Sequence, residues 1–172
     1  MEKISIVMAT FNSAATLEMS LLSIASQISG NFEFVVVDGG STDKTLDILE
    51  KHKSIVDVLI SEPDNGVYDA LNKGIRASHG DWILVLGSDD TLYSSTVIAE
   101  VEKELEPGIS VLYGSLISNF SSNLLIEFPE PAVLAQKYNG AIPLFHQCAF
   151  VRKADLLSLG LFDLAYSVHG DF

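Results

Sequence analysis

The chain has 172 residues, 48% of them hydrophobic and 19% charged, with 10 Lys and Arg against 23 Asp and Glu for a formal charge of −13. That composition excludes a disordered tail and supplies enough apolar surface for one globular core without staples. With 10 basic residues among 23 acids, the chain lacks the cationic stripe that a nucleic-acid binder needs to displace counterions from phosphates. An anionic ligand would have to be held by helix N-termini, a few placed cations or a metal ion.

The longest apolar stretches, Phe34–Val37 and Trp82–Leu86, fall far below the ~18 residues of a membrane-spanning helix. The N-terminus runs at once into a strand-like segment without a basic leader, so no signal peptide is expected. Cys148 stands alone, which excludes an internal disulfide and makes a reduced, cytosolic setting the expectation.

Two periodicities alternate along the first two thirds of the chain. Ile4–Thr10 reads as a buried strand. Ala14–Ile28 places Leu17, Leu21, Ile24 and Ile28 at helical spacing, with Asn12 or Ser13 as its expected cap. Phe32–Val37 is rich in β-branched and aromatic residues and reads as a strand. The loop Asp38–Asp43 leads into a helix to about His52, with Ser41 or Thr42 as its expected cap. Val56–Ile60 is a short strand, Pro63-Asp-Asn-Gly66 a turn, Val67–Ser78 a helix and Trp82–Leu86 a very apolar strand. Ser94–Leu105 is a helix stopped by Pro107-Gly108, and Ser110–Tyr113 a strand. Strand–helix alternation at this spacing predicts βαβ crossovers and a mostly parallel sheet covered on both faces.

The remainder is less regular. Ser115–Phe128 predicts a hairpin or an antiparallel insertion around Ser121-Ser-Asn123, Pro129–Tyr138 a short helix, and Ala141–Val151 an apolar, partly strand-like segment. Arg152–Leu159 predicts a helix with Gly160 as its stop. The abrupt end at Gly170-Asp171-Phe172 predicts a chain trimmed at its C-terminus.

In open parallel sheets ligands sit beyond the C-terminal strand ends. Thr10-Phe11-Asn12, Asp38–Asp43, Glu62–Asn65 and Gly87-Ser88-Asp89-Asp90 stand there. Two adjacent carboxylates repel, and a divalent cation with a preference for hard oxygen, Mg²⁺ or Mn²⁺, would offset that cost; a cap on the following turn is the other reading. Asp38 and Asn65 are likewise open to turn chemistry alone. His146 reads as an extra metal ligand or as a buried, hydrogen-bonded histidine, and Lys73 or Arg76 as a phosphate contact or a solvated face. Cys148 reads as a small buried residue. Rossmann, Walker A and nucleophile-elbow motifs are missing, as is zinc-ligand spacing among His52, His79, His146 and His169.

Four stretches taken together, Ile4–Asn12, Val36–Thr45, Asp64–Gly74 and Gly80–Asp90, resemble the family 2 glycosyltransferases, and His146-Gln147 and Phe162–Phe172 extend the likeness. The resemblance implies an α/β GT-A fold, Rossmann-like, with a mostly parallel central sheet flanked by helices. It implies a single domain over 1–172, in which 1–114 binds a nucleotide sugar and 115–172 begins the acceptor-binding half. The implied reaction is inverting transfer of a sugar from a UDP- or GDP-linked donor to a hydroxyl of a glycan or lipid-linked acceptor. Its setting would be bacterial surface polysaccharide or glycan synthesis in the cytoplasm, at the inner face of the membrane or in peripheral contact with it.

Residue by residue, the resemblance places Thr10 and Asn12 in the nucleotide pocket, Asp38 against a base N–H, and Asn65 beside base and ribose. Asp89 would take the ribose hydroxyls, Asp90 a divalent Mn²⁺ or Mg²⁺, and Asp171 the role of general base. Three features depart from the family pattern. Gly87 and Ser88 stand where many members carry a further acid, Gly39 follows Asp38 in place of a second acid, and Gly170 precedes Asp171 where Glu is common. A nucleotide-sugar binding module without turnover, or another metal-dependent α/β nucleotide enzyme, are the competing readings.

Overall fold

The computed structural model describes residues 2–118, 124–126 and 146–165. In chain order the elements are β1 (Ile4–Thr10), α1 (Leu17–Ala25), β2 (Phe32–Asp38), α2 (Thr45–Lys51), a 3₁₀ turn (Lys53–Ile55), β3 (Val58–Ser61) and α3 (Val67–Ala77). Then come β4 (Trp82–Val85), α4 (Val97–Glu104), β5 (Val111–Tyr113), β6 (Leu116–Ser118) and β7 (Leu124–Ile126). A second 3₁₀ turn (His146–Cys148), β8 (Ala149–Arg152) and α5 (Lys153–Leu159) complete the order. The expected elements of the first two thirds are all present, with ends shifted by up to three residues.

Six strands form one sheet in the order β3-β2-β1-β4-β8-β5. β3, β2, β1 and β4 run parallel, as their helical crossovers require. β8 inserts antiparallel between β4 and β5, so β5 lies at the edge and not beside β4. The hairpin expected in 115–128 is present as the antiparallel pair β6 and β7. The helix expected over Pro129–Tyr138 lies outside the described residues.

Alternation along β1 divides the core. Ile4, Ile6 and Met8 pack with Leu17, Leu21, Ile24, Phe34, Trp82 and Ile98 on the α1, α2 and α4 face. Val7, Val35, Ile83 and Val85 pack with Tyr68, Leu71 and Ile75 of α3 on the other. Gly74 lets α3 lie close to the sheet, because a β-carbon there would stand 2.5 Å from Val7 Cγ1. Gly160 ends α5 as expected, at φ +95°, and Leu161 N–H donates back to Leu156 O at 2.9 Å, a Schellman closure.

Candidate functional site

The parallel register sets Thr10 beside Asp38 and Asp38 beside Ser61 at the C-terminal edge of the sheet. Backbone and side-chain bonds then knit the loops after β1 and β2. Asn12 takes a positive φ of 51°, and its Oδ1 accepts from Thr42 N–H at 2.8 Å and Asp43 N–H at 3.3 Å. Its own N–H donates to Ser41 Oγ at 2.8 Å, and Ser13 N–H donates to Thr45 Oγ1 at 2.8 Å. The expected caps are thus corrected. Asn12 holds the neighbouring loop, α1 has no side-chain cap, and Asp43, not Ser41 or Thr42, accepts from Thr45 N–H at 2.9 Å ahead of α2.

Asp38 is fully buried. Its carboxylate accepts from Gly40 N–H at 3.2 Å, Ser41 N–H at 3.2 Å and Ser61 Oγ at 2.8 Å, so turn chemistry occupies much of it. Thr10 is also buried, and its Oγ1 has no hydrogen-bond partner among the described residues. Such an unmet hydroxyl is costly unless a ligand serves it. Asn65, in the turn before α3, turns its amide onto Asp69 of that helix at 3.2 Å.

Gly87 is the clearest steric signature. A β-carbon there would lie 2.8 Å from Asp89 Oδ1 and 2.7 Å from Asp90 Oδ2, so both carboxylates converge over one bare Cα. Ser88 Oγ donates to Ser13 Oγ at 2.9 Å, tying this loop to the one after β1. Ser20 Oγ donates to Asp90 O. Burial and the adjacent Asp89 charge push the Asp90 carboxyl above its ordinary value, against smaller downward pulls from Gly87 N–H and His146. The antiparallel entry of β8 brings His146 there, since Phe150 pairs with Leu84 and the preceding turn therefore lies beyond Val85.

Two hard-oxygen groups repelling each other over an open backbone suit a divalent cation. Among the described residues no third His, Cys, Asp or Glu joins them into a metal cluster. Lys73 is spent on Glu62 at 2.8 Å and Asp69 at 3.5 Å, which favours the solvated-face reading over a phosphate contact. Cys148 is buried and its thiol is pushed up to about 11 by that burial, so it is no nucleophile at neutral pH. A cavity of about 130 Å³ between β4, β8 and Phe162 is lined mostly by apolar side chains such as Ile83, Val85 and Leu156, with Tyr113 and His146 beside them, and so apolar a lining does not suit a diphosphate.

The structure thus gathers Thr10, Asn12, Asp38, Asp89 and Asp90 at one edge, while Asp171 lies outside the described residues. Two residues there stood at the strand ends in the sequence without a role of their own. Asp64 leans over the loop after β2, where a β-carbon on Gly39 would stand 2.5 Å from its Oδ2. Phe11, 61% exposed, offers a bare ring between Thr10 and Asn12. The signal for both was position: each abuts a residue already singled out.

The family model described as Glycosyl transferase family 2 matches residues 5–157. The chain belongs to glycosyl transferase family 2. A "PGL/p-HBAD biosynthesis glycosyltransferase" of Mycobacterium bovis is 37% identical over 177 residues, covering 98% of this chain and 66% of that protein. The chain therefore spans about two thirds of that relative's length. Among solved structures, S. aureus TarS 1–349 superposes with a TM-score of 0.80 at 23% identity, covering 98% of this chain and 52% of that one; it has also been solved with UDP and with UDP-GlcNAc. The mannosyltransferase PcManGT from Pyrobaculum calidifontis, in complex with GDP-Man and Mn²⁺, gives a TM-score of 0.73 at 23% identity over 95% of this chain and 48% of its own. At these identities the structural likeness establishes the GT-A glycosyltransferase fold of the family 2 chain and nothing finer.

Proposed function

We propose that this family 2 chain transfers a sugar from a UDP- or GDP-linked donor to an acceptor hydroxyl with inversion. The observation that carries the reading is the convergence of Asp89 and Asp90 over Gly87 at the end of β4, on the edge shared with Thr10 and Asp38. Asp90 would hold Mn²⁺ or Mg²⁺, and Asp89 the ribose hydroxyls. When bound, such a cation neutralises the charge that develops on the departing nucleoside diphosphate, by several kcal/mol. A protein of charge −13 has strong need of it.

Asp38 would receive a base N–H at Oδ1, which the turn engages only through Ser41 N–H at 3.3 Å, and Asn65 and Asp64 would border the base and ribose. Asn12 keeps the two loops together around the pocket, and Thr10 brings to the same edge a buried hydroxyl with no partner among the described residues. Phe11 offers a stacking face, worth about 1–3 kcal/mol per base. Asp171 takes the proton from the acceptor hydroxyl, an acceleration of about 10²–10⁴-fold, and attack from the face opposite the leaving group inverts the anomeric centre. The acceptor would be a glycan or lipid-linked hydroxyl, met in the cytoplasm at the inner face of the membrane. None of the described helices is long and apolar enough to cross it.

Thermal shift with UDP and GDP, each with and without MnCl₂, tests this. Stabilisation only with metal, and its loss in Asp90→Ala, is expected. Equal stabilisation without metal, or an unaltered response in Asp90→Ala, overturns the reading. Nucleotide release from UDP-glucose, UDP-N-acetylglucosamine or GDP-mannose separates turnover from binding alone, and phosphate or pyrophosphate release would point to a different nucleotide enzyme.

A further inference from the structure

Helix α3 carries a contact that the donor site does not explain. Asn72, in its middle, is 3% exposed. Its Nδ2 donates to Phe162 O at 2.8 Å and its Oδ1 accepts from Phe162 N–H at 3.0 Å. The carboxamide thus copies a peptide group and closes a two-way bridge with the chain 90 residues on, as a neighbouring strand would. One turn earlier Tyr68 stacks on the Phe162 ring, with centroids 5.4 Å apart and planes at 29°.

The segment gripped in this way leaves α5 through two consecutive positive-φ residues, Gly160 and Leu161 at 95° and 68°. A non-glycine residue at positive φ is disfavoured and persists only where its surroundings hold it. The bridge and the ring stack act on the very next residue. From there the chain runs on through Asp163, whose Oδ1 accepts from Ala165 N–H at 2.8 Å, toward Asp171. The same helix is capped at its N-terminus by Gly66, directly after Asp64 and Asn65 of the donor edge. One helix therefore joins the donor loops to the segment that precedes, in sequence, the residue read as the base.

We propose that Asn72, assisted by Tyr68, is a positioning residue for glycosyl transfer: its bridge to Phe162 fixes the course of Leu161–Ala165 relative to the donor edge. The inference rests on the glycosyltransferase reading above. Asn72 touches no reacting atom; it acts through the backbone it grips. Asp at this position keeps the acceptor and loses the donor, whereas Ala loses both.

The test compares the unaltered protein with Asn72→Ala and Asn72→Asp. Three quantities are read: affinity for UDP and GDP with MnCl₂, nucleotide release from UDP-glucose, UDP-N-acetylglucosamine and GDP-mannose, and hydrogen exchange at the Phe162 amide. A misplaced catalytic segment predicts a loss of about ten- to 100-fold in the release rate, with nucleotide affinity held within about twofold and faster exchange at Phe162. Unchanged release in both variants overturns the inference, as does a fall in affinity that matches the fall in rate, which would mark a purely structural role. If Asn72→Ala does not fold, the same readings on Asn72→Asp decide. If the unaltered protein binds no nucleotide and releases none, the glycosyltransferase reading falls and this inference with it.

Discussion

Glu33 at the N-terminal edge of the sheet and Asp90 at its C-terminal edge are both drawn out of water, yet their carboxyls shift in opposite directions. Burial acts to raise Glu33, but hydrogen bonds from Ser5 Oγ at 2.5 Å, His79 N–H and Gly80 N–H at 3.0 Å outweigh it and hold the group below its ordinary value. Lys3 Nζ adds its charge at 3.8 Å. Nearby, Glu2 takes Arg152 Nη1 at 2.8 Å and Trp82 Nε1 at 2.7 Å, while the Arg152 guanidinium lies 4.5 Å over the Trp82 ring. At the other edge burial and Asp89 both raise Asp90, with smaller opposition. A carboxylate that folding has supplied with donors is a fastener. One that folding has set beside another carboxylate awaits something from outside.

The largest break in this contrast is Asp90→Ala, which removes the ligand and should lower nucleotide release with Mn²⁺ by about 10²–10³-fold; a chelator should do the same to the unaltered protein. In the absence of nucleotide the melting temperature at neutral pH should stay level or rise, because a repelled charge has gone. Glu33→Ala should reverse both results. Losing the acceptor for Ser5 and Gly80 should cost about 3 kcal/mol by urea unfolding, with nucleotide affinity of the folded protein unchanged.

Gly87→Ala is a gentler probe of the same pair. The added methyl would stand within 2.8 Å of both carboxylates, and forcing them apart should weaken Mn²⁺-dependent nucleotide binding by about tenfold, or 1.4 kcal/mol, by calorimetry. Smaller still is the effect of acid on stability. Glu33 sits below its ordinary value of 4.5, so its contribution is complete above that value and lost as the pH falls through the lowered one. Asp90 sits above its ordinary 3.8, so its ionisation costs stability at higher pH, and that cost is relieved as the pH falls through the raised value. Urea midpoints followed down in pH should therefore fall less steeply in Glu33→Gln than in the unaltered protein, and more steeply in Asp90→Asn. The smallest change expected is Arg152→Lys, which keeps the charge but loses the fork over Trp82; a melting-temperature drop of no more than about 3 °C would fit a partly exposed fastener.

Much of this was legible in the residues. β1, β2, β4 and α3 announce themselves by period, because alternation and helical spacing are local properties. The acid pair after Trp82–Val85 stands out for the same reason: so apolar a strand must end at the sheet edge, and the residues just past its C-terminal end face the ligand side. Gly160 reads as a stop because a left-handed residue after a helix has one favoured occupant.

Other features were written in no local pattern. Alternation in Phe32-Glu33-Phe34 gives no sign that Glu33 meets Ser5, 28 residues away. The insertion of β8 between β4 and β5 turns on pairing across the sheet, and it is this antiparallel entry that sets His146 near Asp90. Likewise Asp64 over Gly39 and Asn72 on Phe162 depend on which segments the fold brings side by side. Period, caps and charge are carried by neighbours in the chain and can be read there. Convergence of side chains is set by register and packing over long separations, and it exists only once the sheet has closed.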